Sequence, residues 1–236
     1  MNSNWREIYK ARLTTAEQAV MYIKSNMRIA LGHAAAVPVD TLDALLKRKN
    51  ELQNVEIAHM FCLGKGEYMN PEMQGHFVHN ALFVGSNARK AVEENRAEYT
   101  PCFFHEIPTL FTSGILHPHV ALIQVSTPDK NGFCSFGVSS DYTKPATHSA
   151  DIVIAEANKQ MPFIGGDNLI HVSELHHIVE TDNALYELPS AQISEIELSI
   201  GEHCASLIED GSTLQLGIGS IPDAVLMSLG NKKRLG

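Results

Sequence analysis

Short apolar runs rich in β-branched residues recur along the chain and alternate with helix-like or polar stretches. The runs are MRIALG (Met27–Gly32), VEIAHM (Val55–Met60), VALIQVS (Val120–Ser126) and IVIAE (Ile152–Glu156). Between them, Thr15–Ser25, Pro38–Lys49 and Ser86–Asn95 carry helix-like patterns. Nearly continuous apolar strands separated by helices predict parallel βαβ units, in a sheet covered on both faces. Gly, Met and Pro crowd the stretch between Phe61 and Phe77, which predicts a loop running over a surface.

From Ala191 the pattern sharpens. Ile193, Ile196, Ile200, Cys204 and Leu207 recur at intervals of three and four, the apolar stripe of one helix. Gly211 follows at a C-cap position. STLQLGIG then reads as a strand entering a glycine turn, and Pro222 marks the first turn of another helix. The same order stands near the N-terminus, where MRIALG and His33 lead to Pro38 and the helix DTLDALL. A unit repeated at both ends suggests duplication. The expected organisation is an α/β domain over residues 1–189, an open parallel sheet flanked by helices. The truncated beginning of a second, similar domain occupies 190–236.

Charge narrows the function classes. A net charge of −9 and a pI near 5.7 argue against non-specific nucleic-acid binding, which requires a basic face. No apolar stretch is long enough for a membrane span, and the N-terminal MNSNWREIYKAR has no apolar core of a secretory signal. Cys62, Cys102, Cys134 and Cys204 are scattered without CxxC spacing, as expected of thiols in a reducing cytoplasm.

Several segments could carry chemistry. Gly217-Ile218-Gly219 lies between an expected strand and an expected helix, where backbone N–H groups can hold a phosphate or a developing oxyanion. It could equally be a tight turn that needs glycine. IQVSTPDKNGFCSFGVSS (Ile123–Ser140) ends a buried strand where open α/β sheets place ligands, though PDKNG is also an ordinary turn sequence. His105-Glu106 follows the apolar YTPCFF, as a polar pair lining a pocket or a hydrogen-bonded loop pair. Twelve histidines raise the question of a metal, but His117-Pro-His119 and His176-His177 lack ligand spacing, and no metal site is expected. GxSxG and GxxxxGK[ST] are absent.

Five ordered runs resemble the acetyl-CoA hydrolase/transferase family: LGKGEY (Leu63–Tyr68), FFHEIP (Phe103–Pro108), STPDKNGFCSFGVSSDY (Ser126–Tyr142), AEAN (Ala155–Asn158) and CASLIEDGSTLQLGIGSIPDAV (Cys204–Val225). The resemblance implies a fold like that of class I CoA-transferases, two related α/β domains with an active site in the cleft between them. It implies that CoA moves between a short-chain acyl-CoA, such as acetyl-CoA, and a carboxylate, such as 4-hydroxybutyrate, through a glutamyl-CoA intermediate. The coenzyme A thioester is then a substrate, and no separate cofactor is implied. The family's nucleophilic glutamate would lie beyond Gly236, so none of the carboxylates present takes that role. Gln215, Gly217 and Gly219 match the glycine loop that faces the thioester. His33, Glu67, Tyr68 and His105 match segments lining the cleft. The resemblance further implies a cytoplasmic homo-oligomer with no nucleic-acid or membrane partner. An acyl-CoA hydrolase and a non-catalytic CoA-binding module remain open as alternatives.

Overall fold

The run Val120–Ser126 is buried at all seven positions. The two-residue period of a strand sends alternate side chains to opposite faces. Val120 and Leu122 accordingly join one apolar cluster, and Ala121, Ile123 and Val125 join another. A strand without a polar face needs cover on both sides, which a parallel sheet with flanking helices supplies.

The computed structural model describes residues 4–189 and 192–236. The chain divides into two units, Met1–Glu187 and Leu188–Gly236. In the first, β1 (Arg28–Leu31), β2 (Val55–His59), β3 (Phe77–Ala81), β4 (Ala97–Tyr99), β5 (Val120–Ser126), β7 (Ile152–Asn158) and β9 (His177–Thr181) form a seven-stranded sheet. Its order is β4-β3-β2-β1-β5-β7-β9, and every pairing is parallel. A separate antiparallel pair joins β6 (Phe133–Ser135) to β8 (Leu169–His171). The four runs expected as strands are β1, β2, β5 and β7.

Helices α1 (Trp5–Arg12), α2 (Ala16–Ala19), α3 (Val39–Lys47), α4 (Ser86–Glu93), α5 (Ile107–Thr112) and α6 (Thr143–Ser149) surround the sheet. One core cluster packs Leu42 and Leu45 of α3 and Ala88 and Ala91 of α4 against Ile29, Ile57 and Leu122. A second packs Tyr9 of α1 against Ile123, Val153 and Ile178. A third packs Phe111 of α5 and Ala146 of α6 beside Ala30.

Two expectations need correction here, and one element was not foreseen. The helix expected over 15–25 stops at Ala19 and continues only as a 3-10 turn, Val20–Tyr22. Val20 and Ile23 are driven fully into the core, and the Arg48 guanidinium donates to both of their carbonyls, so a helix end there is satisfied. The 61–77 stretch is not merely a surface loop, because Tyr68 and Met69 are buried among core residues. The polar N-terminal segment folds as α1: Arg12 donates to the carbonyls of Val172 (3.0 Å) and Leu175, and Trp5 Nε1–H donates to Lys130 O at 3.2 Å.

The second unit contains α7 (Glu195–Ser206) and α8 (Ser220–Ser228). Ser194 caps α7, accepting from Glu197 N–H while its own N–H donates to Glu197 Oε2 at 2.7 Å. Its apolar cluster comprises Ala205, Val225 and Leu229 with Cys204, Ile208, Leu214 and Leu235. The stripe expected on α7 is therefore only partly buried: Ile196 is 74% and Leu207 84% exposed. Residues 212–219 form no strand. Among the described residues, a two-bond link, Leu214 N–H to Gly236 O and Gly236 N–H to Ser212 O, is too short to make a ladder. A strand is held by a ladder on a neighbour, and an apolar run without one stays irregular. The Gly–Pro–helix part of the internal repeat does form, with Pro222 in the first turn of α8.

Candidate active site

The sheet order reverses between β1 and β5. From β1 the chain runs outward through β2, β3 and β4, then returns to β5 on the other side and continues to β7 and β9. Two connections that diverge from adjacent strands leave a crevice at their carboxyl ends, where open α/β sheets bind ligands.

Gly32 and His33 stand on this edge directly after β1. A Cβ on Gly32 would lie 2.7 Å from the carbonyl oxygen of Ala36 and 3.5 Å from Cα of Ile123, so only glycine lets the chain turn against β5. Ala34 takes a left-handed conformation with φ of 51°, and its N–H donates to Phe61 O at 2.8 Å. His33, between them, is buried, and its ring stacks on Tyr142 with centroids 4.7 Å apart. Its Nε2–H donates to Asp141 Oδ2 at 2.7 Å, while its buried Nδ1 has no partner among the described residues. Tyr142 is held in turn, its Oη accepting the Met60 N–H at 3.0 Å. Burial alone would push the Asp141 carboxyl up. The bond and charge of His33, with the amides of Thr143 and Tyr142, outweigh it and hold the carboxyl below its usual range.

Below the β2 edge lies a second, fully buried group. His59 shares a hydrogen bond with the Tyr68 hydroxyl and stacks on His79 at 4.3 Å, and His79 Nδ1–H donates to Ile57 O at 3.0 Å. Burial pushes His79 down to about 4, against a smaller upward pull from the Ile57 carbonyl. Burial, with the nearby His79 and His33, pushes His59 well below its ordinary value. Burial raises Tyr68 well above its own, with Cys62 adding to the effect. The group is therefore neutral near pH 7 and offers no cation to a phosphate.

A third network ties the carboxyl ends of β5, β7 and β9 to the start of α3. Glu156 Oε1 accepts from Thr41 N–H at 2.6 Å and Thr41 Oγ1–H at 2.7 Å. Gln124 donates to Val37 O at 2.8 Å and accepts from Asn158 at 2.7 Å. Asp40 accepts from Thr181 and Asn183. Burial pushes Glu156 up to about 7, the Thr41 bonds only partly offsetting it.

Other expected residues fall elsewhere. Tyr68 belongs to the buried histidine group. Glu67 is half-exposed and helps line a small cavity of ≈ 20 Å³ with Cys62, Asp43 and Tyr186. His105 is exposed and stacks on Phe103, and Glu106 Oε2 accepts the Phe103 N–H. The PDKNG segment is a turn: Asp129 Oδ1 accepts from the N–H groups of Asn131 (2.8 Å) and Phe133 (2.9 Å). Gln215, Gly217 and Gly219 are exposed residues of the second unit. Gly219 caps α8 at φ 136°, a conformation closed to other residues, and its carbonyl accepts the Asp223 N–H. Sequence reasoning missed Asp141, Tyr142, Glu156 and His59. For His59 and Glu156 the available signal was a polar residue near the carboxyl end of an otherwise apolar strand, as in VEIAHM and AEAN; Asp141 and Tyr142 lie in the loop before α6 and carried no such signal.

The model of the acetyl-CoA hydrolase/transferase N-terminal domain matches residues 1–187. The chain belongs to this acetyl-CoA hydrolase/transferase family. Among its relatives, a 4-hydroxybutyrate coenzyme A transferase of Clostridium kluyveri is 58% identical over 98% of this chain and 54% of that protein. A succinyl-CoA:acetate/propanoyl-CoA:succinate CoA transferase of Fasciola hepatica is 39% identical over 94% of this chain and 47% of that protein. The solved 4-hydroxybutyrate CoA-transferase of Porphyromonas gingivalis superposes with a TM-score of 0.84 at 45% identity, covering 98% of this chain and 55% of that one. RipA of Yersinia pestis gives 0.91 at 30% identity, over 99% and 57%. This family member thus spans about half the length of the curated relatives it matches. The α/β class and parallel sheet expected of the family are those observed. Among the described residues, no helix is long and apolar enough to cross a membrane.

Proposed function

We propose that the protein transfers coenzyme A between a short-chain acyl-CoA, acetyl-CoA among them, and a carboxylate such as 4-hydroxybutyrate. The observation that carries this reading is the 58% identity, over 98% of the chain, to a relative named as a 4-hydroxybutyrate coenzyme A transferase. In the chemistry proposed, an enzyme glutamate attacks the thioester carbonyl and expels CoA thiolate, leaving a mixed anhydride. The thiolate attacks the glutamyl carbonyl, releasing the first acid and forming glutamyl-CoA. A second carboxylate then takes the CoA by the reverse steps.

Within this chain, the backbone amides of the Gly217–Gly219 turn at the start of α8 are assigned to the thioester oxyanion, with Gln215 beside them. The crevice at the carboxyl ends of β1 and β5, with His33, is assigned to the acid. Glu156 is unsuited to be the nucleophile: it is 1% exposed, and Thr41 binds its Oε1 twice. The reading carries with it a cytoplasmic homo-oligomer that needs no cofactor beyond its CoA substrate.

The test is an assay of the longest form of the protein its gene encodes, with acetyl-CoA and either 4-hydroxybutyrate or butyrate. Acyl exchange that depends on the acceptor is expected. CoA release at the same rate without an acceptor would make hydrolysis the activity, and failure to consume any short-chain acyl-CoA would overturn both.

A further inference from the structure

His33 is more completely positioned than a core histidine requires. The close approach of Gly32 to Ala36 O and the left-handed Ala34 fix its backbone. Tyr142 stacks on one face of the ring, and Asp141 holds Nε2. Asp141 is anchored as well, its Oδ1 accepting from the N–H and hydroxyl of Thr143, each at 3.3 Å. Among the described residues, the ring nitrogen left without a partner is Nδ1, buried at the edge where the sheet order reverses. A buried polar atom without a partner calls for an explanation, and a ligand group is one.

We propose that Asp141 is a positioning residue for the acid substrate: through Nε2 it holds His33 so that Nδ1–H donates to the substrate carboxylate. This rests on the CoA-transferase reading. With Nε2–H committed to Asp141, Nδ1 can donate only from the imidazolium. A substrate carboxylate would then give the ring an acceptor at Nδ1 to match the Asp141 acceptor at Nε2. The titratable groups packed around the ring are Asp141, Tyr142 and His59. Burial keeps the Tyr142 hydroxyl protonated and His59 neutral, so neither adds a charge beside the ring. The arrangement recognises the carboxylate rather than the rest of the acid, so acetate, butyrate and a hydroxy acid should all engage it, and the incoming acid displaces whatever covers Nδ1.

Two measurements test it. In the 236-residue chain with ¹⁵N-labelled histidine, adding butyrate should move the His33 Nδ1 resonance to that of a protonated, hydrogen-bonded nitrogen, and Asp141→Asn should abolish the change. In the longest form encoded by the gene, Asp141→Asn should raise KM for the acid about tenfold, the scale of one charge-assisted hydrogen bond. KM for the acyl-CoA should stay within about twofold, and Asp141→Glu should restore most of the loss. A His33 Nδ1 resonance indifferent to butyrate overturns the proposal, as does an unchanged acid KM in Asp141→Asn. Should Asp141→Asn fail to fold, the butyrate titration of the unaltered chain still decides. Transfer activity without a His33 response refutes this inference and leaves the transferase reading standing. A His33 response without transfer activity does the reverse.

Discussion

Glu156 and Thr41 are joined twice through a single oxygen: Oε1 of the carboxyl accepts both the backbone N–H and the hydroxyl of Thr41, at 2.6 and 2.7 Å. Oε2 is buried without a partner among the described residues. Burial raises the folded-state value from 4.5 to about 7. The folded protein therefore binds this proton more tightly than the unfolded chain. The resulting stability is fully present below about pH 4.5 and is lost as pH rises through about 7. The swing is about 3 kcal/mol. Glu156→Gln should flatten this part of the profile, so that its stability relative to the parent improves between pH 5 and 8, as denaturant unfolding at stepped pH values would record. An unchanged slope would show that Glu156 does not titrate in that window.

His79 works in the opposite direction. Its folded-state value is depressed from 6.5 to about 4, so the stability it contributes is present above about pH 6.5 and disappears as pH falls through about 4. His79→Asn retains a donor for the Ile57 carbonyl but loses the stack on His59. The expected outcome is a loss of about 1–3 kcal/mol at pH 7.5 together with a shallower decline below pH 6, read by thermal unfolding across that range.

Gly32→Ala should be costly, because the new methyl would meet backbone rather than a yielding side chain. A destabilisation of about 1–3 kcal/mol is expected. Gly165→Ala, with nothing within 4 Å of its Cβ, is the control and should stay within about 0.5 kcal/mol. Equal melting temperatures for the two variants would sink the packing argument.

Arg12→Met keeps much of the side chain's apolar stem but removes the donor to the Leu175 carbonyl and one of the two to the Val172 carbonyl. About 1–2 kcal/mol should be lost. Hydrogen exchange should report the opening of α1 ahead of the sheet, since α1 is joined to it through few elements.

Much of the first unit was legible in the residues. VALIQVS and IVIAE are too apolar to sit anywhere but the middle of a sheet covered on both faces, and DTLDALL has the spacing of the helix that packs on it. The shorter β4 and the N-terminal helix were not legible. AEY has no apolar alternation, and WREIYKAR spans only two turns, with Trp5, Ile8 and Tyr9 as its apolar side, so each forms because a neighbour accepts it. The carbonyls of Val172 and Leu175 call for Arg12, and the exposed edge of β3 calls for Ala97–Tyr99. STLQLGIG erred in the other direction, having strand composition without a neighbour to pair with.

The candidate site divides in the same way. The run after β1 marked His33 and the run Ser126–Tyr142 contained its partners, but nothing in the spacing joined position 33 to 141. By itself the sequence determined the class of fold, the family and the glycines that permit the tight turns, because these depend on local periodicity, backbone freedom and ordered motifs. Only the tertiary structure decided which polar groups face each other. A parallel sheet brings the ends of strands distant in the chain to one edge, and there burial sets the charge of Glu156 and His79, while hydrogen bonds and the charge of His33 set that of Asp141. Burial and hydrogen-bond geometry are properties of the assembled neighbourhood, which no single segment of chain possesses.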